Sequence, residues 1–157
     1  MIIFCNMKTI ILAAGYGERL YTLTKNRAKS LLPLRNRPII EHIVNKVQLL
    51  DEAEQIFIVT NHSFYKGLKA WADNFVSPIP IKLIDDGSCN FQDRLGAVKD
   101  LSFVIERENI TDDLLVIGGD NLFSFNINEF VAFAKSANPN NLIGLYDLNG
   151  RLRPDKF

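Results

Sequence analysis

The chain has 157 residues, of which 47% are hydrophobic and 23% are charged. This composition is that of one average globular domain, and it excludes a disordered, fibrous or membrane-spanning protein. The 18 basic and 18 acidic residues cancel, so no overall field would attract nucleic acid or an anionic membrane. Any anion-binding site is therefore expected to be local.

The order of predicted elements follows from the apolar pattern. It is strand 9–13, helix 38–50, strand 55–60, helix 62–75, strand 81–84, helix 95–105, strand 114–117, a helix capped by Asn126, and strand 142–146. The strands are apolar on consecutive residues, which is typical of parallel strands buried on both faces. This alternation predicts an α/β fold: a three-layer, Rossmann-like, doubly wound and mostly parallel sheet.

The cysteines and the first residues of the chain indicate the cellular compartment in which we expect the protein. Cys5 and Cys89 are far apart and form no metal-binding motif, so we expect free thiols in a reducing cytoplasm. The apolar first residues lack a basic region, and Lys8 interrupts them, which argues against a signal peptide. Because no repeat or linker is visible, we expect one cytoplasmic domain over residues 1–157.

Polar residues follow several of the predicted strands. Residues 15–19, 61–62, 85–86 and 120–121 come after strands, whereas Asp112 and Asp113 precede one. In an open parallel sheet, ligands bind outside the carboxyl ends of the strands. The first group is therefore predicted to share the ligand-binding edge, and the two aspartates to lie at the opposite edge.

The loop after the first strand reads LAAGYGERL. Two glycines so close together suggest that something approaches the backbone, and Arg19 suggests that it is anionic. Taken alone, the loop leaves open a turn without a ligand or a dinucleotide fingerprint GxGxxG, in which Leu20 would replace the third glycine. A Walker loop is excluded because no GK[ST] triplet is present.

The loop continues as GYGERLYTLTKNRAKSLLPL and places Lys29 ten residues after Arg19. It resembles the signature LAAGxGxRLxPLTxxxPKxLLP of the sugar-phosphate nucleotidyltransferases, the NDP-sugar pyrophosphorylase type that includes glucose-1-phosphate thymidylyltransferases. Thr22 and Ala28 replace prolines of the signature. Since those prolines stiffen a loop, the replacements bear on loop rigidity rather than on phosphate contacts.

Two further segments are similar to this family. The strand and turn LLVIGGDNLF, residues 114–123, resemble a Gly-Asp pair whose aspartate, here Asp120, holds magnesium. Segment 85–98, DDGSCNFQDRLGAV, occupies the place of the nucleobase-reading segment. Gly96 fits that pattern, but Asp93 stands where a glycine is usual, which leaves the identity of the base open.

The resemblance implies a function: transfer of an NMP unit from an NTP to a sugar 1-phosphate, with Mg²⁺ as cofactor and pyrophosphate as second product. It implies that Arg19 holds the pyrophosphate, that Lys29 lies between the two reacting phosphates, and that Asp120 binds the metal. It implies nucleotide contacts at Leu12, Ala13, Ala14, Gly15, Gly17, Glu18 and Gly96.

Several alternatives remain open at this point. The family's sugar-binding loop and second metal aspartate are not found in the sequence, so we expect a domain truncated on its C-terminal side. The alternatives are a nonenzymatic nucleotide or NDP-sugar binding domain, a transferase with another acceptor such as phosphocholine, and an NAD-binding oxidoreductase domain. The expected partners are the two substrates, with no nucleic acid or membrane; a homo-oligomer is also compatible.

Overall fold

The computed structural model describes residues 7–137 and 141–144. Its strands are β1 (Met7–Leu12), β2 (Pro33–Leu34), β3 (Arg37–Pro38), β4 (Ala53–Thr60), β5 (Ile81–Asp85) and β6 (Asp113–Gly118). Its helices are α1 (Tyr21–Thr24), α2 (Ile39–Val47), α3 (His62–Asn74), α4 (Ala97–Glu108) and α5 (Ile127–Ser136). None of the helices in this described part is long and apolar enough to cross a membrane.

Four strands form one parallel sheet in the order β5-β4-β1-β6. Ile10 of β1 is in register with Phe57 of β4 on one side and with Val116 of β6 on the other. Because all four strands run in the same direction, the loops that follow them leave the sheet at one edge. That edge carries the glycine-rich loop and the turn that contains Asp120.

Helices cover both faces of the sheet. On one face, α2, α3 and α5 pack on the sheet through a core that includes Val44, Leu68 and Ile58. On the other face, α4 packs through Val104 against Ile10 and Val59. Burial of such a side chain contributes about 1.5–3 kcal/mol. The predicted three-layer α/β architecture is confirmed.

The last predicted strand, 142–146, is not formed where the structure describes it. Residues 141–144 pair with no strand, and Ile143 is 75% exposed. Gly144 lies beside the ring of Phe130, since a Cβ added there would be 3.6 Å from Phe130 Cε2. This segment therefore passes next to α5, while residues 145–146 lie outside the described residues.

The long loop after β1 contains a small hairpin that the apolar pattern does not predict. Strands β2 and β3 pair antiparallel around Arg35 and Asn36, which have φ angles of 48° and 68°. Positive φ at both central residues is the geometry of the tight turns that match strand twist. The hairpin directs the chain into α2, whose N-cap is Pro38.

Candidate active site

The glycine-rich loop is anchored at its base and turned sharply at its end. The buried side chain of Asn61 donates to the backbone oxygen of Ala14 (2.9 Å), which fixes the start of the loop to the end of β4. Gly17 has a φ of 64°, and its carbonyl oxygen accepts a hydrogen bond from Thr24 Oγ1 (3.0 Å). This left-handed conformation explains why the second glycine is needed.

Gly15 has no such structural explanation. Nothing in the described structure lies within 4 Å of the position that a Cβ would occupy, and its φ is not positive. Neither packing nor backbone geometry therefore requires glycine here. The absence of a side chain leaves the backbone of the loop open to a ligand.

A cleft of about 310 Å³ opens beside this loop. Its lining includes predicted site residues from both halves of the sequence: Leu12, Ala13, Gly15, Gly17, Glu18, Lys29 and Asp120. It also includes four residues that were not predicted: Leu20, Ser30, Phe91 and Gly119.

Of the remaining predicted site residues, Ala14 and Gly96 are not part of the cleft lining. Ala14 is buried below the loop, and Gly96 lies at the start of α4 with a φ of 86°. The side chain of Arg19 lies outside what the structure describes. Its backbone belongs to the turn Glu18–Leu20 at the mouth of the loop.

Lys29 and Asp120 meet across the cleft. They are 91 residues apart in the sequence, and Lys29 Nζ forms an ion pair with Asp120 Oδ2. The turn Lys29–Leu31 presents the lysine, and the turn after β6 presents the aspartate. Both side chains are partly exposed, at 35% and 39%, so the pair contributes about 0–1 kcal/mol to stability. The ion pair therefore contributes little to the stability of the fold, and its importance lies in its place at the cleft.

A second polar cluster lies at the same edge of the sheet. It comprises Tyr16 of the glycine-rich loop, Asp86 and Ser88 after β5, and Asp100 in α4. Burial raises the pKa of Tyr16 above its ordinary value. Burial first, and the negative charge of Asp86 second, raise the pKa of Asp100 to about 7. The sequence pattern gave no signal for this cluster beyond the position of Asp86 after a strand.

Asp120 can supply one ligand to a metal ion. Within the described residues, no group of three or more His, Cys, Asp or Glu side chains gathers as a complete metal site. Magnesium, however, is commonly held by one or two carboxylates together with substrate phosphates and water. A single partly exposed carboxylate beside an open loop therefore fits a cation that arrives with a phosphate ligand.

Two glycine variants distinguish a glycine that the fold does not require, Gly15, from one that packing does require, Gly119. Gly15→Ala is expected to change the free energy of unfolding by no more than about 0.5 kcal/mol, because a Cβ there meets nothing. Gly119→Ala is expected to destabilise the fold by roughly 1–3 kcal/mol, because its Cβ would be 2.8 Å from the backbone oxygen of Leu12. Denaturant unfolding of the two variants measures both effects. Equal losses in both variants would contradict the interpretation of Gly15.

The fold and the cleft define a class: an α/β protein with a ligand site at the carboxyl edge of a parallel sheet. A profile of the nucleotidyl transferase family matches residues 8–157. The chain belongs to this family, as its resemblance to sugar-phosphate nucleotidyltransferases predicts.

Individual relatives agree with this assignment. The bifunctional protein GlmU of Methanocaldococcus jannaschii is 34% identical over 127 residues, which cover 81% of this chain and 28% of the relative. GlmU of Methanococcus vannielii is 32% identical over 141 residues, which cover 86% of this chain and 31% of the relative. The chain thus spans less than a third of the length of these curated relatives.

Solved structures show the same architecture. A candidate glucose-1-phosphate thymidylyltransferase of Bacillus anthracis is 30% identical with a TM-score of 0.67, over 83% of this chain and 50% of that one. A UDP-glucose pyrophosphorylase of Acinetobacter baumannii is 19% identical with a TM-score of 0.65, over 84% and 53%. The second likeness bears on the fold alone.

Proposed function

We propose that this chain is the nucleotide-binding part of an enzyme that transfers an NMP unit from an NTP to a sugar 1-phosphate and releases pyrophosphate. The observation that carries the proposal is the meeting of Lys29 and Asp120 across a glycine-walled cleft. A cation and a carboxylate from distant parts of the sequence converge there, beside a loop whose Gly15 has no structural explanation.

The chemistry requires two polyanions to be brought together. An oxygen of the sugar 1-phosphate attacks the α-phosphorus of the NTP, the bond to the bridging oxygen breaks, and pyrophosphate leaves with that electron pair. Catalysis of this kind depends on positioning and on charge neutralisation rather than on a covalent nucleophile. Backbone N–H groups of the glycine-rich loop can donate to phosphate oxygens because Gly15 and Gly17 carry no side chain.

Lys29 and Arg19 are assigned different roles. In the protein without ligand, Lys29 is paired with Asp120, so we propose that it exchanges this partner for the α-phosphate and the incoming sugar phosphate. Arg19 follows the loop directly, and we propose that its guanidinium holds the departing pyrophosphate, for which two parallel donors suit better than a point charge.

We propose that Asp120 binds Mg²⁺ together with the triphosphate. One carboxylate at the cleft fits the way in which this ion is held beside phosphates. When bound, the ion neutralises charge on the phosphate oxygens and orients them. Release of Asp120 from Lys29 would free both side chains at the same time, each for a ligand of opposite charge.

The acceptor and the base are proposed only as classes. The Bacillus anthracis structure is named for glucose 1-phosphate and a thymidylyl group, which supports a sugar phosphate as the acceptor and leaves the base of this chain open. We propose that segment 85–98, which includes Gly96, reads the base. We further propose that the chain is a single domain in the cytoplasm, since the cytoplasm supplies NTPs and sugar phosphates. We propose no nucleic-acid or membrane partner, because the chain carries no net charge.

A two-stage assay tests the proposed function. Calorimetric titration of this chain with ATP, CTP, GTP, UTP and dTTP, with and without Mg²⁺, should find at least one that binds and that binds more tightly with Mg²⁺. Pyrophosphate release should then be measured on the full natural protein with glucose 1-phosphate, other hexose 1-phosphates and phosphocholine. Release that requires a sugar phosphate supports the proposal.

Other outcomes would point to the alternatives. Tight NTP or NDP-sugar binding without pyrophosphate release from any acceptor would indicate a nonenzymatic binding domain. Release with phosphocholine alone would change the acceptor class. A shift of NADH fluorescence in a protein that ignores every NTP would favour a dinucleotide-binding domain and contradict the proposal.

A further inference from the structure

A series of hydrogen bonds runs from the glycine-rich loop to Asp86, which acts on Asp100 of helix α4. The hydroxyl of Tyr16 donates to Ser88 Oγ (3.3 Å), and Ser88 Oγ donates to Asp86 Oδ1 (2.8 Å). The Ser88 backbone N–H donates to the same oxygen (2.7 Å). The carboxyl group of Asp100, in the first turn of α4, lies within hydrogen-bonding reach of the Asp86 carboxyl.

Within the described structure, one oxygen of each carboxyl group at the end of this series lacks a donor. Asp100 is 5% exposed, and among the described residues Asp86 Oδ2 and Asp100 Oδ1 are buried without a hydrogen-bond partner. Two ionised carboxylates placed there would repel each other and leave buried acceptors unsatisfied. One proton shared by the pair removes the repulsion and supplies the missing donor.

The neighbours decide which of the two carries the proton. Asp86 already accepts two hydrogen bonds from Ser88, and donors of this kind favour the ionised form. Asp100 has no comparable donor among the described residues, and burial is the main cause that raises its pKa to about 7. Asp100 is therefore the member of the pair that holds the proton, and with a pKa of about 7 it loses that proton as the pH rises through neutrality.

The other elements around Asp100 present apolar residues or charges that are already engaged. Helix α4 packs on Ile10, Leu12, Phe57 and Val59 of β1 and β4. Asp85 is paired with His62 (2.7 Å), Asp93 accepts from the backbone N–H groups of Cys89 and Asn90, and Lys99 is exposed. Asp86 is the charge that acts on Asp100.

We propose that Asp100 is a positioning residue for nucleotide binding: its carboxylic acid donates to Asp86 and thereby holds segment 85–98 and Tyr16 in the arrangement that binds the nucleotide. The inference rests on the proposed function, because the role of segment 85–98 in reading the base belongs to it. When Asp100 loses its proton, the pair becomes two adjacent anions. Ser88 and Tyr16 lose their fixed positions, and the nucleotide binds more weakly.

The variant Asp100→Asn tests the shared proton without any ligand. The folded protein keeps this proton up to about pH 7, whereas the unfolded chain loses it near 3.8. The wild-type free energy of unfolding therefore falls, relative to that of the variant, as pH rises between these two values. Denaturant unfolding should find Asp100→Asn more stable near pH 8 and the difference close to zero near pH 4. A difference that is the same at both pH values would overturn the assignment of the proton.

Nucleotide binding tests the positioning role. UDP-glucose and dTDP-glucose serve as probes because their diphosphates do not titrate near neutral pH. For whichever probe binds, wild-type affinity should fall about fivefold or more between about pH 6 and about pH 8. Asp100→Asn, which keeps a donor at every pH, should keep the higher affinity throughout. Asp100→Ala, checked for folding by circular dichroism, should bind weakly at both pH values.

The outcomes are distinguishable. An equal loss of affinity with pH in wild type and Asp100→Asn would overturn the inference while leaving the proposed function in place. Failure of both probes and of every NTP at either pH would overturn the proposed function, and the positioning role with it, whatever the unfolding experiment shows about the proton.

Discussion

Replacing Lys29 by alanine is expected to lower the rate of pyrophosphate release by about a hundredfold or more, with the protein still folded. The ammonium group is the cation that faces Asp120 across the cleft, and no covalent step could compensate for its loss. Because both partners of the ion pair are partly exposed, the free energy of unfolding should change by at most about 1 kcal/mol. Steady-state assays of pyrophosphate release on the full natural protein, together with denaturant unfolding, measure both quantities.

Lys25→Ala is the matched control for this variant. Lys25 has the same charge and lies in the same loop, but it is not part of the cleft lining. It should retain most of the activity. Near-normal turnover in Lys29→Ala, or an equal loss in both variants, would refute the role assigned to Lys29.

Asp120→Asn is expected to abolish the part of the activity that depends on Mg²⁺, a loss of about 10²–10³-fold. The substitution keeps the shape of the side chain and removes the charge that attracts a hard cation. The affinity for the NTP in the absence of metal should be retained or should increase, since removal of a negative charge reduces repulsion of the triphosphate. Magnesium titrations of binding and of pyrophosphate release test both expectations.

The control for Asp120 comes from the other end of the same strand. Asp113 begins β6, and Asp120 follows its end, so Asp113→Asn removes an equal charge at the opposite edge of the sheet. Its magnesium dependence should match that of the wild type. An unchanged magnesium titration in Asp120→Asn would show that the ion is bound elsewhere.

The sheet and its edge could be predicted because their signals are local and physical. Consecutive apolar residues in 55–60 and 114–117 are required for strands buried on both faces, and the parallel direction places the loops that follow them at one edge. For that reason residues 15–19 and 120–121 could be expected at one edge from the sequence, whereas the place of Lys29 beside them followed from the family resemblance. The resemblance also implied the chemistry assigned to Lys29 and Asp120.

Other features depend on tertiary context that a pattern does not contain. The hairpin of β2 and β3 depends on positive φ at Arg35 and Asn36, and nothing in the apolar spacing indicates it. The segment 142–144 is apolar enough for a strand, yet it passes beside α5 instead of pairing with β6. Asp100 of α4 is buried and lies under the influence of Asp86 from the loop after β5, an interaction between residues of different elements.

Ala28, which replaces one of the signature's prolines, also depends on tertiary context. Ala28 has a φ of −55° and is 1% exposed, so the backbone keeps a conformation that proline would also adopt. Packing of the buried Ala28 methyl group holds the loop in place, whereas the proline of the signature would do so by fixing the φ angle through its ring.

The most direct measurement is a crystal structure of this chain with Mg²⁺ and a nonhydrolysable analogue of the NTP that binds it most tightly. We expect the triphosphate to lie against the backbone of residues 14–17, with Lys29 turned from Asp120 to a phosphate oxygen and the ion on Asp120. A nucleotide bound away from this loop, with the Lys29–Asp120 pair intact, would contradict the account.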